Sequence, residues 1–187
     1  MKLSIRALIF LAVALLSLPL AACGQEETVT VGETEGTYLD LGGLQYQVQI
    51  SRVLNPADPE DKAYLVDVPV AEQDIAADEA WFAVFLLAQN NEERPNVAAS
   101  EFELHDTQEN VYRPIPLGDQ NVWAYRGGVT LAPGDQIPTP DSPSFNSPSV
   151  GGDLLLFRVK NPSFDNRPLA FILHGPDGGE AEVDLDV

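Results

Sequence analysis

LQYQVQIS, residues 44–51, is the stretch that decides the fold, because its apolar and polar side chains alternate without a break. Leu44 and every second residue after it are apolar, whereas the residues between them are three glutamines and Ser51. Strict alternation over about eight residues is typical of a strand with one buried and one solvated face. The stretch therefore predicts a sheet that covers a hydrophobic core on one side.

A second stretch, residues 81–89, is apolar at nearly every position and dense in aromatic side chains. Such a run predicts a central strand that is covered on both faces. Shorter runs predict further strands at residues 101–106, 111–115, 154–159, 169–173 and 181–187. Seven to eight short strands with almost no helix predict an all-β fold, an immunoglobulin-like antiparallel β-sandwich over residues 43–187.

The connections between these strands are rich in proline and acidic residues. Residues 55–62 contain two prolines and residues 137–148 contain four, so both are predicted loops, and the second is predicted to be long and exposed. Residues 63–68 are consistent with one more short strand. Residues 69–79 form an acidic connection with the potential for about one helical turn.

The N-terminal 22 residues have the three parts of a secretory signal peptide. Lys2 and Arg6 precede an apolar core at residues 7–16, which is too short for a bilayer span of about 20 residues. The following Leu20-Ala21-Ala22-Cys23 resembles the bacterial lipobox, which implies cleavage before Cys23 and attachment of a diacylglyceryl group to its sulfur. The alternative is an ordinary signal peptide cut after Ala22.

The segment after Cys23 is polar and acidic and shows no helical periodicity. We expect residues 23–42 to form a flexible tether, within which residues 37–41 could make a short edge strand. Cys23 is the only cysteine, so a disulfide within the chain is impossible. An acylated Cys23 would supply two buried acyl chains, which is about what stable membrane anchoring requires.

The mature chain is strongly acidic. Removal of residues 1–22 takes away two basic side chains, leaving eight against 29 acidic ones, a formal charge of −21. Such a surface is repelled by nucleic acid, so no nucleic-acid partner is expected. Cations, cationic polymers and basic proteins are the partners that this charge would attract. The acidity could equally serve solubility alone.

The sequence contains no recognisable catalytic motif, and we do not expect an enzyme. There is no Gly-x-Ser-x-Gly nucleophile elbow and no glycine-rich phosphate loop after a strand. His105 and His174 could bind a metal together with a carboxylate, but nothing in the sequence places them together. The abundance of acidic residues makes any single carboxylate pair uninformative.

Two weaker features could carry a binding function. Asp58, Glu60 and Asp61 lie close together in one predicted loop and could ligate calcium, although they do not match an EF-hand. The aromatic residues Trp123, Tyr125 and Phe145 lie in irregular stretches. Exposed aromatics in loops could form a recognition patch, but they could instead cap the edge of the sandwich.

Four motifs occur in order along residues 43–187. They are residues 44–50, residues 81–90, the set Phe102, Leu104, Asp106 and Tyr112, and a turn at Leu131, Pro133 and Gly134 ahead of Leu155, Phe157 and Val159. In this order the motifs resemble the uncharacterised immunoglobulin-like domains of secreted bacterial lipoproteins, a group related in fold to a mycobacterial secreted antigen. The sequence departs from that pattern in a long Pro/Ser-rich insertion between Gly134 and Leu154.

The resemblance implies a fold and a lipoprotein context but no reaction, and it provides no catalytic residues to transfer. We therefore expect a lipid-anchored module on the extracytoplasmic side of the cell membrane or outer membrane. Its partners would be the membrane, through the lipid on Cys23, and a protein or envelope ligand bound by its loops. A calcium-stabilised surface module and an envelope hydrolase are the alternatives.

Overall fold

The computed structural model describes residues 28–186, and these residues form a β-sandwich. Seven strands have four or more residues: β2 Tyr38–Leu41, β3 Leu44–Val53, β4 Glu79–Gln89, β6 Glu101–His105, β10 Asp153–Lys160, β11 Leu169–His174 and β12 Glu180–Leu185. Five have two residues: β1 Val31–Gly32, β5 Asn96–Val97, β7 Val111–Tyr112, β8 Thr130–Leu131 and β9 Gln136–Ile137. The predicted all-β class and sandwich architecture are thereby confirmed.

The strands form two principal sheets that face each other. Sheet I has the strand order β1-β12-β11-β6-β7, and sheet II has the order β10-β4-β3-β2, with β9 also pairing with β4. The pairings are antiparallel except that of β1 with β12, which is parallel. A third, two-stranded sheet joins β5 to β8. The residues buried between sheets I and II form the main core.

Strand β4 is apolar on both faces because sheet II has a core on each side. Phe82, Val84 and Leu86 enter the main core, whereas Trp81 and Phe85 enter a second core on the outer face of sheet II. A helix, α1 at Pro59–Tyr64, and the segment 115–124 contribute to that second core. The prediction of a central strand buried on both faces is therefore correct.

The predicted boundary between tether and domain at residue 43 is wrong. Strands β1 and β2 belong to the two sheets, and Leu39 and Leu41 of β2 are buried in the main core. Strand β2 is the short edge strand that the sequence suggested at residues 37–41, whereas β1 has only two residues and leaves no recognisable pattern. The predicted signal peptide and Cys23 lie outside the described residues.

Two predicted connections also differ from the structure. Residues 59–64 form helix α1 instead of parts of a loop and a strand, because Asp58 caps the helix and Pro59 occupies its first turn. The predicted exposed loop at 137–148 contains β9 and a short helix, α2 at Pro143–Asn146. Within residues 28–186, no helix is long and apolar enough to cross a membrane.

Candidate functional site

The three aromatic residues considered either for a recognition patch or for capping the edge of the sandwich do not lie together at the surface. Trp123 packs edge-on against Tyr64 in the second core, with ring centroids 5.1 Å apart. Tyr125 points to the opposite side and packs edge-on against Phe102 in the main core at 5.3 Å. Only Phe145 is exposed, with 43% of its surface accessible.

The predicted calcium ligands are engaged with protein groups. Asp58 accepts hydrogen bonds from the backbone amides of Glu60 and Asp61 at the start of helix α1. Glu60 accepts from the Tyr64 hydroxyl at 3.1 Å. Asp61 is buried, pairs with Arg52 at 2.5 Å and accepts from the Asn55 amide. Over residues 28–186, no group of three or more His, Cys, Asp or Glu side chains is arranged to hold a metal ion.

The cavity with the most distinctive chemistry lies where three loops meet the start of β10, and we call it the loop pocket. Its volume is about 430 Å³. Its walls come from the 119–126 loop, from residues 129–142 and from Asp153. They comprise Asp119, Asn121, Val122, Ala124, Arg126, Val129, Leu131, Gln136, Ile137, Thr139, Ser142 and Asp153. The pocket therefore combines an apolar lining with two acidic side chains, Asp119 and Asp153, and one basic side chain, Arg126.

Asp153 is held in this pocket by the close packing of the residue before it. A Cβ atom on Gly152 would lie 2.8 Å from the backbone nitrogen of Leu86, so only glycine allows β10 to approach β4 this closely. The buried Ser144 hydroxyl of helix α2 donates a hydrogen bond to Asp153 Oδ1. The backbone of sheet II and the side chain of Ser144 thus fix the position of the carboxyl group.

The environment of Asp153 disfavours its ionised form. Burial raises the pKa of its carboxyl group from 3.8 to about 6. The hydrogen bond from Ser144 and the positive charge of Arg126 act in the opposite direction but do not cancel the effect of burial. A carboxyl group with a raised pKa in a cavity is a common property of functional sites.

Arg126 lies at the same pocket and organises the loop that forms one wall. Its Nη1 donates to the Leu117 carbonyl at 2.8 Å, and its Nη2 donates to the Gly118 carbonyl at 2.6 Å. A longer bond joins Nη2 to the Asn121 carbonyl at 3.4 Å. No ion pair within 4.0 Å involves Arg126 or Asp153 in the part of the chain that the structure describes.

Tyr125, the residue before Arg126, carries a buried hydroxyl group whose pKa is also shifted. Its hydroxyl is buried and has no hydrogen-bond partner among the described residues. Burial raises the pKa of Tyr125 well above 10, and the electrostatic effects of Tyr46 and Asp153 act in the same direction. The hydroxyl of Tyr46, in the same core, instead accepts a hydrogen bond from the Ala99 amide at 2.8 Å.

The two histidines, which the sequence could not place together, meet on the outer face of sheet I. Glu103 Oε2 lies 2.8 Å from Nε2 of His105 and 3.9 Å from Nε2 of His174. Arg113 bonds the other oxygen of Glu103, and Glu180 lies 3.5 Å from Nδ1 of His174. The hydrogen bond from His105 lowers the pKa of Glu103 despite opposing burial, and Arg113 lowers it further.

Sequence reasoning missed both clusters for the same physical reason. The histidine cluster depends on the pairing of β6 with β11, in which Glu101 lies opposite His174. The loop pocket depends on helix α2 bringing Ser144 to Asp153. The only local signal for Asp153 is an acidic residue between Gly151-Gly152 and an apolar strand, a pattern that also fits an ordinary strand start.

Comparison with known proteins identifies structures of similar fold. No family model and no curated protein matches the sequence. The solved structures that resemble the chain include the yjhA protein from Bacillus subtilis, at 13% identity and a TM-score of 0.46, covering 82% of this chain and 99% of that one. An uncharacterized β-sandwich protein from Clostridium difficile 630 shares 8% identity with a TM-score of 0.45, covering 82% and 93%.

A third similar structure is that of a "putative lipoprotein" (ycdA) from Bacillus subtilis. It shares 11% identity with a TM-score of 0.48 and covers 80% of this chain. The present chain spans 38% of the length of that protein.

Proposed function

We propose that the protein is a lipid-anchored module of the bacterial envelope that faces the extracytoplasmic side and binds a ligand in the loop pocket without catalysing a reaction. The observation that carries the binding function is the partly buried carboxyl group of Asp153, which has no ion-pair partner within 4.0 Å among the described residues and lines a cavity built by loops. Natural proteins retain such destabilising groups where a ligand uses them. The β-sandwich provides a rigid support for the loops.

The anchor is supported by the lipobox-like sequence that ends at Cys23. Because β1 begins at Val31, seven residues, 24–30, connect Cys23 to the sandwich. Seven residues span at most about 25 Å when fully extended. The proposed anchor would therefore hold the sandwich close to the lipid surface, a shorter reach than a tether ending at residue 42 would allow.

A pair of experiments tests the two parts of this proposal. For the anchor, cell fractionation should find the protein in membranes and the Cys23→Ala variant outside the membrane fraction. For the pocket, a photo-crosslinking amino acid at Val122, a pocket residue that is 61% exposed, should capture a ligand of discrete mass in intact cells. The matched control is the same amino acid at Val70, which is 82% exposed and lies outside the pocket.

The outcomes separate the alternatives. Equal labelling at positions 122 and 70 would contradict a ligand in the loop pocket. A Cys23→Ala protein that stays in membranes would contradict the lipid anchor, whatever the crosslinking result.

A further inference from the structure

The charges that line the loop pocket indicate what kind of ligand it takes. Asp153 and Arg126 have opposite charges, border one cavity and have no ion-pair partner within 4.0 Å in the described residues. Among the described residues that line the pocket, Arg126 is the one basic side chain, and Asp119 is a second, exposed carboxylate on the wall. Arg126 is exposed and Asp153 is partly buried, so both side chains are accessible to a ligand in the pocket.

The two charges attract each other but are kept apart by the structure. Gly152 and Ser144 fix Asp153 from the side of sheet II. Three backbone carbonyls, at Leu117, Gly118 and Asn121, fix the guanidinium of Arg126. With these contacts in place, the guanidinium nitrogens of Arg126 lie more than 4.0 Å from the carboxylate oxygens of Asp153. A ligand placed between them could satisfy both charges at once.

The surface near the two charges is largely apolar. Ala124, Leu131 and Ile137 are buried residues of the pocket wall, and Val122 and Val129 are exposed members of the same wall. This part of the lining suits an aliphatic group, and Asn121, Gln136 and Thr139 add polar side chains to the same wall. The volume of about 430 Å³ is that of a small-molecule site.

We infer that the loop pocket binds an amino acid or short peptide with free termini, whose ammonium group meets Asp153 and whose carboxylate meets Arg126. This inference rests on the proposed binding function and specifies its ligand class. An ammonium donates to a carboxylate, and Nε of Arg126, which makes no hydrogen bond within the described residues, could donate to the carboxylate of the ligand. The aliphatic part of the ligand would contact Ile137 and Leu131.

The test uses the full mature protein, labelled with ¹⁵N and purified in detergent, and follows the backbone amides of Val129, Leu131 and Ile137 by NMR. The probes are the twenty amino acids and the alanyl-X dipeptides, each added up to about 10 mM. For the best peptide, the N-acetyl form and the C-terminal amide are compared with the free form. We expect either modification to weaken binding at least about tenfold, the change that corresponds to 1.4 kcal/mol.

Two variants test which side chain contacts which end of the peptide. Asp153→Asn should remove the preference for the free ammonium, so that free and N-acetylated peptides bind equally. Arg126→Gln should remove the preference for the free carboxylate, and its NMR spectrum establishes whether it remains folded. Asp141→Asn and Arg113→Gln make the same charge changes at exposed residues outside the pocket and should bind as the unmodified protein does.

The results that would overturn the inference are specific. Equal binding of blocked and free peptides would exclude it, as would the failure of every probe to shift the pocket amides. If the probes fail but position 122 still captures a ligand in cells, the ligand class is wrong and the proposed binding function stands. If both fail, the proposed function fails as well.

Discussion

Replacement of Asp153 by asparagine should stabilise the protein at neutral pH. The carboxyl group has a pKa of about 6 in the folded protein and 3.8 in the unfolded chain, a difference of roughly two units. Each unit corresponds to about 1.4 kcal/mol, so the ionised group lowers the free energy of unfolding by up to about 3 kcal/mol. Asparagine is never ionised and can still accept the hydrogen bond from Ser144.

Because the pKa of Asp153 is higher in the folded protein than in the unfolded chain, the free energy of unfolding should depend on pH within a defined window. Below pH 3.8 the carboxyl group is protonated in both states, so it costs no stability there. Between pH 3.8 and about 6 the unfolded chain loses its proton while the folded protein keeps it, and the free energy of unfolding falls as the pH rises. Above pH 6 both states are ionised and the loss is complete. The advantage of Asp153→Asn should therefore grow through this window and then remain constant.

Urea unfolding at several pH values between 4.5 and 7.5 measures the difference between the two proteins. Asp141→Asn is the matched control, because it removes one negative charge from an exposed residue of the neighbouring loop. We expect about 2–3 kcal/mol of stabilisation for Asp153→Asn at pH 7.5 and under about 0.5 kcal/mol for the control. A destabilised Asp153→Asn protein, or a difference that does not vary with pH, would refute the reasoning.

Three further predictions follow from the same structure. Tyr125→Phe removes a buried hydroxyl that has no partner among the described residues, so it should raise the free energy of unfolding by about 1 kcal/mol. Tyr46→Phe leaves the Ala99 amide unpaired, so it should lower the free energy of unfolding by about 1–2 kcal/mol. Urea unfolding of the two variants measures both changes, and equal changes would contradict the prediction. Gly152→Ala should lower the thermal midpoint by several degrees because the new Cβ meets the backbone of β4 at 2.8 Å, and an unchanged midpoint in calorimetry would show that β10 can shift. Adding about 5 mM calcium to the dialysed protein should raise the thermal midpoint no more than sodium chloride of equal ionic strength does, because Asp58, Glu60 and Asp61 already bind protein groups. A larger rise with calcium would support the calcium-stabilised alternative.

The features of the fold that depend on local periodicity could be predicted from the sequence. The alternation of residues 44–51 identifies β3, although a β-bulge between Val48 and Ile50 shifts its pairing with β4. The apolar run at residues 81–89 identifies β4 and its two buried faces. Both patterns reflect the pleat of a strand, which places successive side chains on opposite faces.

The family-like motif around Asp106 is explained by its structural contacts. Asp106 accepts hydrogen bonds from the amides of Gln108 and Asn110 and from the side chain of Asn166. Burial would raise the pKa of Asp106, but these hydrogen bonds outweigh it and hold the pKa well below 3.8. Tyr112 bonds Ser163 at 2.6 Å in the same region. These motif residues thus tie the β6–β7 turn to residues 163–166.

The candidate site could not be predicted, because it depends on contacts between residues that are distant in the sequence. Trp123 and Tyr125 lie in a stretch with no strand pattern in the sequence, but residues 123–125 pair with Leu154 as an extended segment and so direct alternate side chains into different cores. The burial of Asp153 results from helix α2, which lies in a stretch whose prolines predicted an exposed loop. Capping by Ser142 stabilises that short helix.

The central claim is that a lipid-anchored sandwich holds a ligand in the loop pocket, and one measurement addresses both parts. Protein carrying the photo-crosslinking amino acid at position 122 is irradiated in intact cells, extracted from membranes and analysed by top-down mass spectrometry. The account predicts an N-terminal fragment that begins at Cys23 with a diacylglyceryl group, and a discrete adduct at position 122 that is absent at position 70. An unmodified N-terminus that begins elsewhere, or identical spectra for positions 122 and 70, would contradict it.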